Sequence, residues 1–252
     1  MTEIIANIMN GILNIKLNRP EKKNAINASM YDAIANSIND AVKDKNIHVI
    51  VISAVGDTFS AGNDLNDFLQ NPPGPGDSPQ AKLMEAFINC KKPIVAAVQG
   101  SAVGSGTTML THCDFIYASE NAKFQMPFIN LALVPEFGTS FSLPRQIGYL
   151  NAAELILLGK FFDVNRALQL GLITQIVPEH LLIETAMKTA GELAKKPSSA
   201  LQACKTLMKQ SSEQGMKDAI KAELKEFSVR LHSKDTKEAI NAFLEKRQPH
   251  FE

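Results

Sequence analysis

One stretch decides the fold: Val98-Gln99-Gly100-Ser101-Ala102-Val103-Gly104-Ser105-Gly106, which continues the apolar run 93–98. The apolar run predicts a strand buried on both faces of a sheet. The small residues after it predict a tight turn that opens a helix, where the backbone can approach a ligand closely. A buried strand ending in such a turn is typical of an α/β protein that binds ligands at the ends of its strands.

A second stretch of the same kind lies upstream. The β-branched run 47–53 predicts another buried strand, and it ends in Gly56-Asp57-Thr58-Phe59-Ser60-Ala61-Gly62-Asn63-Asp64-Leu65. Residues 3–17 alternate around Asn10-Gly11. This pair predicts a β-hairpin because both positions tolerate a positive φ.

The remaining elements follow from periodicity and from chain-breaking residues. Further helices are predicted over 29–44, over about 80–90, and over 138–158 with a break near Gly148. Further strands are predicted over 114–118, near Phe124 and over 173–177. The Pro- and Gly-rich residues 71–79 predict a loop without helix or strand. From Glu179 onward we expect helices, divided at Pro197 with Ser198-Ser199 as cap candidates and again at Gly215. The pattern is one of strand–strand–helix units followed by a helical tail.

Composition excludes several classes of function. The chain has 252 residues, of which 45% are hydrophobic and 21% charged, as in ordinary globular proteins. Basic and acidic side chains number 26 each, so no net field favours nucleic acid or an anionic membrane. The scattered cysteines and histidines show no spacing typical of a disulfide framework or a metal site. No secretory signal and no membrane-spanning run is evident, and we expect a cytoplasmic protein.

One acid stands apart from the other charged residues. Glu136 lies among apolar neighbours, between a proline and a glycine, within residues 130–140. A carboxylate in apolar surroundings loses hydration, which raises its pKa towards the range useful in proton transfer. The alternative interpretation is an exposed turn glutamate.

An ordered set of motifs resembles the crotonase superfamily, the enoyl-CoA hydratases and isomerases. The similarity covers nearly the whole chain, and the motifs follow one another in the expected order. They are Leu17-Asn18-Arg19-Pro20, Phe59-Ser60-Ala61-Gly62-Asn63-Asp64-Leu65, Val98–Gly106 as quoted above, Cys113-Asp114, Ala122-Lys123-Phe124, Leu170-Gly171-Leu172 and Phe243-Leu244-Glu245-Lys246-Arg247.

The resemblance implies an α/β fold, the crotonase spiral of ββα units, with a C-terminal helical region that trimerises. We expect residues 1–195 to form the core with the active site. Residues 196–252 would form the helical region of a homotrimer or dimer of trimers and cover the active site. The resemblance also implies an acyl-CoA thioester substrate and no separate cofactor, since coenzyme A is part of the substrate. Backbone N–H groups of Ala61 and Ser105 would form an oxyanion hole, which stabilises the enolate oxygen.

The resemblance also indicates which acids the chemistry would use. Hydratases need two glutamates, one to activate water and one to handle the α-proton. Their positions are occupied here by Thr108 and by Phe128, which follows Pro127. Both acids are absent, and Phe128 makes the place where water would sit apolar. Hydration is therefore not expected.

Glu136 comes eight residues after Phe128, where Δ3,Δ2-enoyl-CoA isomerases of the peroxisomal type carry a glutamate. One carboxylate suffices for a 1,3-proton shift from C2 to C4, so we expect such an isomerase with Glu136 as the catalytic acid/base. Two alternatives stay open. One is another crotonase chemistry, acyl-CoA hydrolysis or isomerisation of ring-bearing acyl-CoAs, and the other is a non-catalytic acyl-CoA-binding protein.

Substrate and CoA contacts are assigned by the same resemblance. They are Lys22, Ala25, Gly62, Asn63, Asp64, Leu65, Phe128, Phe243 and Lys246. Asp64 is also a candidate for a helix N-cap, and we favour this role over a CoA contact. For Lys22, a CoA contact and an ordinary solvated lysine fit the sequence equally well. Phe243 and Lys246 match positions that reach a neighbouring subunit's CoA in relatives, but an amphipathic helix explains the same pattern.

Overall fold

The computed structural model describes residues 2–70 and 77–251. The strands are β1 Ile4–Met9, β2 Ile12–Leu17, β3 Val49–Ala54, β4 Ile94–Val98, β5 Ser101–Val103, β6 Phe115–Ser119, β7 Lys123–Gln125, β8 Phe162–Asp163 and β9 Gln175–Val177. The helices are α1 Ala28–Lys43, α2 Leu65–Gln70, α3 Pro79–Asn89, α4 Ser105–Thr108, α5 Thr139–Ile147, α6 Tyr149–Leu158, α7 Val164–Gln169, α8 Leu182–Ala194, α9 Ser198–Gln210, α10 Glu213–Leu231 and α11 Lys234–Glu245.

The strands form two sheets between which the chain alternates. The larger has the order β1-β2-β3-β4-β6-β9 and is parallel except for the β1–β2 hairpin. The smaller has the order β5-β7-β8. β4 lies in the larger sheet and β5 in the smaller, and β6 and β7 repeat this step. The predicted α/β class is confirmed.

Strands β3 and β4 of the larger sheet are buried on both faces, as predicted. Ile50 and Ile52 of β3 pack into the main core with α1 and α3, whereas Val49 and Val51 face a second apolar cluster. Helix α8 covers that second cluster with Leu182, Ala186 and Ala190. This two-sided burial explains why β3 and β4 read as continuous apolar runs.

Three local predictions are wrong. The residues after β4 form the short strand β5 before helix α4 begins, because Ser101–Val103 pair with β7 in the smaller sheet. Gly215 lies inside α10, since the chain breaks at Ser211-Ser212 instead. Ser198 and Ser199 do not cap α9: they lie in its first turn, and Pro197 precedes the helix without a side-chain cap.

The predicted loop 71–79 lies largely outside the described residues, which resume at residue 77. Its last residue is an exception to the prediction, since Pro79 begins α3. Proline is well tolerated at the first helical position because the N–H that it lacks has no intrahelical partner there. The Ser78 hydroxyl completes this start by accepting the Ala81 N–H at 3.2 Å.

Helices α9 to α11 follow the turn at Pro197 and pack back onto the core, where Lys205 of α9 pairs with Asp114 at 2.6 Å. Helix α10 contacts α5, and α11 contacts the 3-10 turn Phe128–Leu131. The predicted trimerisation of this region, and its separation from residues 1–195, stay predictions. Within the described part of the chain, no helix has both the length and the apolar character required to cross a bilayer.

Candidate active site

The two small-residue turns meet at a pair of glycines. Ser60 and Ala102 form a parallel β-bridge, which places the turns side by side. Gly62 has φ +87° and Gly104 has φ +54°, and both values disfavour side chains. A Cβ on Gly62 would lie 2.7 Å from the Val103 carbonyl oxygen, and one on Gly104 would lie 3.9 Å from the Gly62 Cα. The residues after these glycines, Asn63 and Ser105, therefore lie close to the contact.

The backbone N–H groups after the two glycines are free. Ser105 is the first residue of α4, where N–H groups lack intrahelical partners. Within residues 2–70 and 77–251, neither the Ser105 N–H nor the Asn63 N–H has a hydrogen-bond acceptor. Two free N–H donors flanking one contact point can bind a single anionic oxygen.

The prediction that Ala61 supplies the first donor requires correction. Its N–H donates to the carbonyl oxygen of Lys23 at 2.9 Å and is not available to a ligand. Asn63 offers the free N–H of this turn. A signal in the sequence could have shown this: aligning Ala61-Gly62-Asn63 with Val103-Gly104-Ser105 by their glycines makes Asn63 the counterpart of Ser105.

Glu136 is buried in a strained turn. Its side chain is only 4% exposed, which excludes the exposed turn glutamate. The next two residues have positive φ, +59° at Phe137 and +66° at Gly138, and this is uncommon for a phenylalanine. His112 and the Phe137 carbonyl oxygen form a hydrogen bond of 2.7 Å. This hydrogen bond holds the backbone of the Glu136 turn against the 3-10 turn Met109–His112, which follows α4.

Burial shapes the acidity of Glu136. Desolvation raises its pKa to about 8, the charge of Glu223 adds to this effect, and the side chain of Asn63 counteracts it. The Oε1 atom of Glu136 is fully buried and has no hydrogen-bond partner among the described residues. It lines a small cavity with Gln80, Met84, Glu223, Leu224 and Phe227. A carboxyl group with this pKa can take up and release a proton near neutral pH.

Glu223 of α10 secures the other side of the turn and was not found by sequence reasoning. One carboxylate oxygen accepts the Gly138 N–H at 2.7 Å, and the other accepts the Ser140 N–H at 2.8 Å and the Ser140 hydroxyl. Burial raises the pKa of Glu223 to about 7, and these hydrogen bonds limit the rise. Glu223 therefore caps α5, the helix that follows Glu136. Because α10 lies far along the chain, no local pattern indicates this role.

Tyr31 of α1 also joins the site without a signal in the sequence. It is 1% exposed, and its hydroxyl donates to the Asn63 Oδ1 atom at 2.5 Å. Its pKa is raised well above the usual value by burial first and by the charge of Glu136 second. Glu136, Asn63, Tyr31 and Ser105 thus form one polar cluster, in which Asn63 is half-buried and the other three residues are buried.

The two hydratase positions carry no acid in the structure. Thr108 is fully buried, and its hydroxyl donates to the Gly104 carbonyl oxygen at 3.3 Å. Phe128 is 5% exposed and belongs to the main core. Neither side chain is a carboxyl group, so neither of the two acids that a hydratase uses is present at these positions.

Asp64 acts as the N-cap of α2, as favoured above. Its Oδ1 atom accepts the Asn66 N–H at 3.1 Å and the Asp67 N–H at 3.3 Å. Its Oδ2 atom pairs with Arg19 at 2.7 Å. Arg19 also donates to the Ala25 carbonyl oxygen at 3.0 Å, so Asp64 and Ala25 share one structural network. Leu65, half-buried, begins α2.

The other predicted contact residues lie at the surface. Lys22 is exposed in the 3-10 turn Pro20–Lys22. Phe243 is 63% exposed near the end of α11, and Lys246 is exposed just after it. No contact joins Phe243 or Lys246 to the Glu136 cluster in the described residues of this chain.

Comparison with known proteins gives a consistent family and several different activities. The model of the enoyl-CoA hydratase/isomerase family matches residues 7–252. A 2,3-dehydroadipyl-CoA hydratase of Escherichia coli K12 is 32% identical over 252 residues, covering 100% of this chain and 99% of that protein. A 1,2-epoxyphenylacetyl-CoA isomerase of the same organism is 32% identical over 259 residues, covering 100% and 98%.

A human protein named enoyl-CoA delta isomerase 2 is 35% identical over 221 residues, which are 84% of this chain and 55% of that protein. Among solved structures, an enoyl-CoA hydratase/isomerase from Pseudoalteromonas atlantica T6c superposes with a TM-score of 0.95 at 36% identity, and the match covers 100% of both chains.

Proposed function

The chain belongs to the enoyl-CoA hydratase/isomerase family, and from this premise we propose that it is a Δ3,Δ2-enoyl-CoA isomerase. It converts a 3-enoyl-CoA into the 2-trans isomer by moving one proton. Glu136 is the only catalytic acid/base, and the N–H groups of Asn63 and Ser105 hold the thioester oxygen. The crotonase fold and an acyl-CoA substrate are common to the family, whereas the isomerisation is our proposal.

The observation that carries the proposal is the state of Glu136. It is a buried carboxyl with a pKa raised to about 8, and its Oε1 atom has no hydrogen-bond partner among the described residues, beside the turns that carry two free N–H donors. A base with a pKa near the working pH combines a useful ionised fraction with enough basicity to remove a weakly acidic proton. Burial of the side chain, with the Oε1 atom fully enclosed, keeps water away from the carboxyl.

The reaction needs only these groups. The Glu136 carboxylate removes a proton from C2 of the 3-enoyl thioester, and the electron pair moves onto the thioester oxygen. The Asn63 and Ser105 N–H groups stabilise this oxyanion by about 3 kcal/mol each, by comparison with other oxyanion holes. The protonated Glu136 then returns the proton to C4, the double bond shifts to C2–C3, and the carboxylate is regenerated. No cofactor is consumed.

Hydration is disfavoured although one full-length relative is named a hydratase. Adding water across a double bond needs a group to activate the water and a group to handle the α-proton. Thr108 is no general base at neutral pH, and the ring of Phe128 cannot orient a water molecule. Glu223 is the other buried carboxyl near Glu136, but its oxygens are engaged by Gly138 and Ser140.

A second candidate is isomerisation of a ring-bearing acyl-CoA. It is favoured by the relative named 1,2-epoxyphenylacetyl-CoA isomerase, which matches over the full length of both chains. Acyl-CoA hydrolysis and non-catalytic acyl-CoA binding are weaker alternatives, because a carboxyl excluded from water is poorly placed for hydrolysis and is not needed for binding alone.

Coenzyme A itself would bind at the surface around the first turn. Lys22 lies exposed there and can pair with CoA phosphates. Phe243 and Lys246, exposed on α11, can reach the CoA of a neighbouring subunit in the trimer or dimer of trimers that we propose.

The proposal is tested with purified protein and a panel of thioesters. We expect 3-cis- and 3-trans-enoyl-CoAs to give the 2-trans isomer, detected by chromatography and mass spectrometry. A 2-trans-enoyl-CoA should give no 3-hydroxyacyl-CoA, and no free CoA should be released. Turnover of 1,2-epoxyphenylacetyl-CoA but not of 3-enoyl-CoAs would favour the second candidate, and thermal stabilisation by ligand without turnover would favour a binding protein.

A further inference from the structure

Tyr31 is the polar member of an otherwise apolar helix face. Helix α1 buries Met30, Ile34 and Ile38 in the main core, at the spacing of an amphipathic helix. Tyr31 is fully buried beside Met30, and its hydroxyl needs a hydrogen-bond partner there. A core phenylalanine would fill the same space without this requirement.

The hydroxyl determines how the Asn63 side chain is oriented. It donates to the Asn63 Oδ1 atom at 2.5 Å, which leaves the Asn63 amide nitrogen to point elsewhere. The amide side of Asn63 lies close enough to Glu136 to stabilise its charged form. With Oδ1 held by a donor, the group turned towards the carboxylate is the N–H donor and not the carbonyl oxygen.

The same hydroxyl also lies against the second turn. Its other neighbour is the Ser105 side chain, whose Oγ atom is buried and has no hydrogen-bond partner among the described residues. Asn63 and Ser105 are the two residues whose backbone N–H groups are free. One hydroxyl from α1 thus bonds to the Asn63 side chain and lies near the Ser105 side chain, at the two residues that form the proposed oxyanion hole.

We propose that Tyr31 is a positioning residue for the isomerisation. Its hydroxyl holds the Asn63 amide against the Glu136 carboxylate and fixes the two turns relative to each other. The proposal rests on the proposed role of Glu136 as base. Tyr31 itself does not need to contact the reacting atoms.

Other charged groups around Glu136 do not replace this role. Glu223 faces it from α10 and opposes its ionisation. His112, on the 3-10 turn Met109–His112, bonds to the Phe137 carbonyl oxygen, and burial lowers the pKa of His112 to about 4, so it is neutral. Among the described groups that act on Glu136, Asn63 alone favours its charged form.

Tyr31→Phe is the test, with Tyr117→Phe as the matched control. Tyr117 is also buried, and its hydroxyl bonds to the Thr189 hydroxyl at 2.7 Å in the other core cluster, away from the site. We expect Tyr31→Phe to lower kcat about tenfold with KM within about twofold, because one hydrogen bond to a charged network is lost. The pKa of Glu136 should rise by about one pH unit for the same reason. Tyr117→Phe should change neither.

Two readouts separate this proposal from the proposed function. The pH dependence of kcat reports on turnover, and infrared difference spectra report protonation of Glu136 directly, with Glu136→Gln as the blank. If the protein does not isomerise 3-enoyl-CoAs but the infrared pKa rises in Tyr31→Phe, the positioning role stands and the function fails. If the wild type isomerises and Tyr31→Phe matches Tyr117→Phe in both readouts, the positioning role is overturned.

A second variant guards against misfolding of Tyr31→Phe. Asn63→Ala keeps the backbone N–H and removes the amide that Tyr31 holds. It should raise the pKa of Glu136 in the same way, and adding Tyr31→Phe to it should produce no further rise. Fully additive shifts in the double variant, or no shift in Asn63→Ala, would overturn the proposal.

Discussion

Glu136→Gln is expected to reduce isomerisation of a 3-enoyl-CoA by about 10³-fold while leaving acyl-CoA affinity nearly unchanged. Glutamine fills the same volume but cannot take the proton from C2. No other described side chain at the site has the pKa and position to replace it, since the Glu223 oxygens are engaged by Gly138 and Ser140. Steady-state kinetics and isothermal titration with a non-reactive acyl-CoA measure the two effects.

The same substitution is expected to stabilise the fold, increasingly so as the pH rises. The pKa of Glu136 is raised to about 8 in the folded protein from 4.5. Above pH 4.5 the unfolded chain loses this proton more readily than the folded one, so the stability of the wild type falls with pH until about pH 8. Glutamine removes that loss, which is on the order of 5 kcal/mol at pH 9 for a pKa raised from 4.5 to about 8.

Thermal unfolding at pH 5 and pH 9 tests this effect. Glu120→Gln is the control, because Glu120 is an exposed turn glutamate. It should change neither activity nor the pH dependence of the unfolding temperature. A Glu136→Gln protein that keeps a tenth of the wild-type rate would rule out the single-base mechanism. A difference in unfolding temperature between Glu136→Gln and the wild type that is the same at pH 5 and pH 9 would rule out the raised pKa.

Gly62→Ala is expected to lower kcat/KM by about 100-fold or more and to destabilise the protein. The new Cβ would lie 2.7 Å from the Val103 carbonyl oxygen, so the two turns must move apart. This displaces the Asn63 N–H relative to the Ser105 N–H, and an oxyanion hole depends on that geometry. Kinetics with a 3-enoyl-CoA and chemical denaturation measure the two losses.

Gly171→Ala is the matched control for backbone strain. Gly171 also has a positive φ, +70°, but a Cβ there would have no neighbour within 4 Å. It should lose about 1–2 kcal/mol of stability from strain alone and keep its activity. Equal catalytic losses in both variants, or full activity in Gly62→Ala, would contradict the assignment of the two turns to the oxyanion hole.

The sequence was most informative where local patterns decide the structure. The hairpin at Asn10-Gly11, the buried strand β3 and the break at Gly148 were all predicted, because each depends on the residues at that point and their immediate neighbours. Glu136 was singled out for the same reason, as an acid among apolar residues. The structure shows that it is buried.

Features that depend on distant contacts were missed. The Ala61 N–H is occupied by the carbonyl of Lys23, a partner that nothing near Ala61 indicates. Glu223 lies in a helix that was predicted from its periodicity, and so does Tyr31, but neither position carries a signal of its own. Each acquires its role only when the fold brings α10 and α1 to the Glu136 turn, so neither could be found from periodicity.

In the proposed reaction, the buried Glu136 carboxyl carries a proton from C2 to C4. This transfer is tested most directly with a 3-enoyl-CoA bearing deuterium at both C2 positions, incubated in ordinary water and analysed by mass spectrometry. An incubation without enzyme corrects for spontaneous exchange. We predict that the 2-trans product keeps both deuterium atoms, one at C2 and one at C4, because the buried carboxyl excludes water. A product with hydrogen from solvent at C4 after every turnover, or a 3-hydroxyacyl-CoA in its place, would contradict the account.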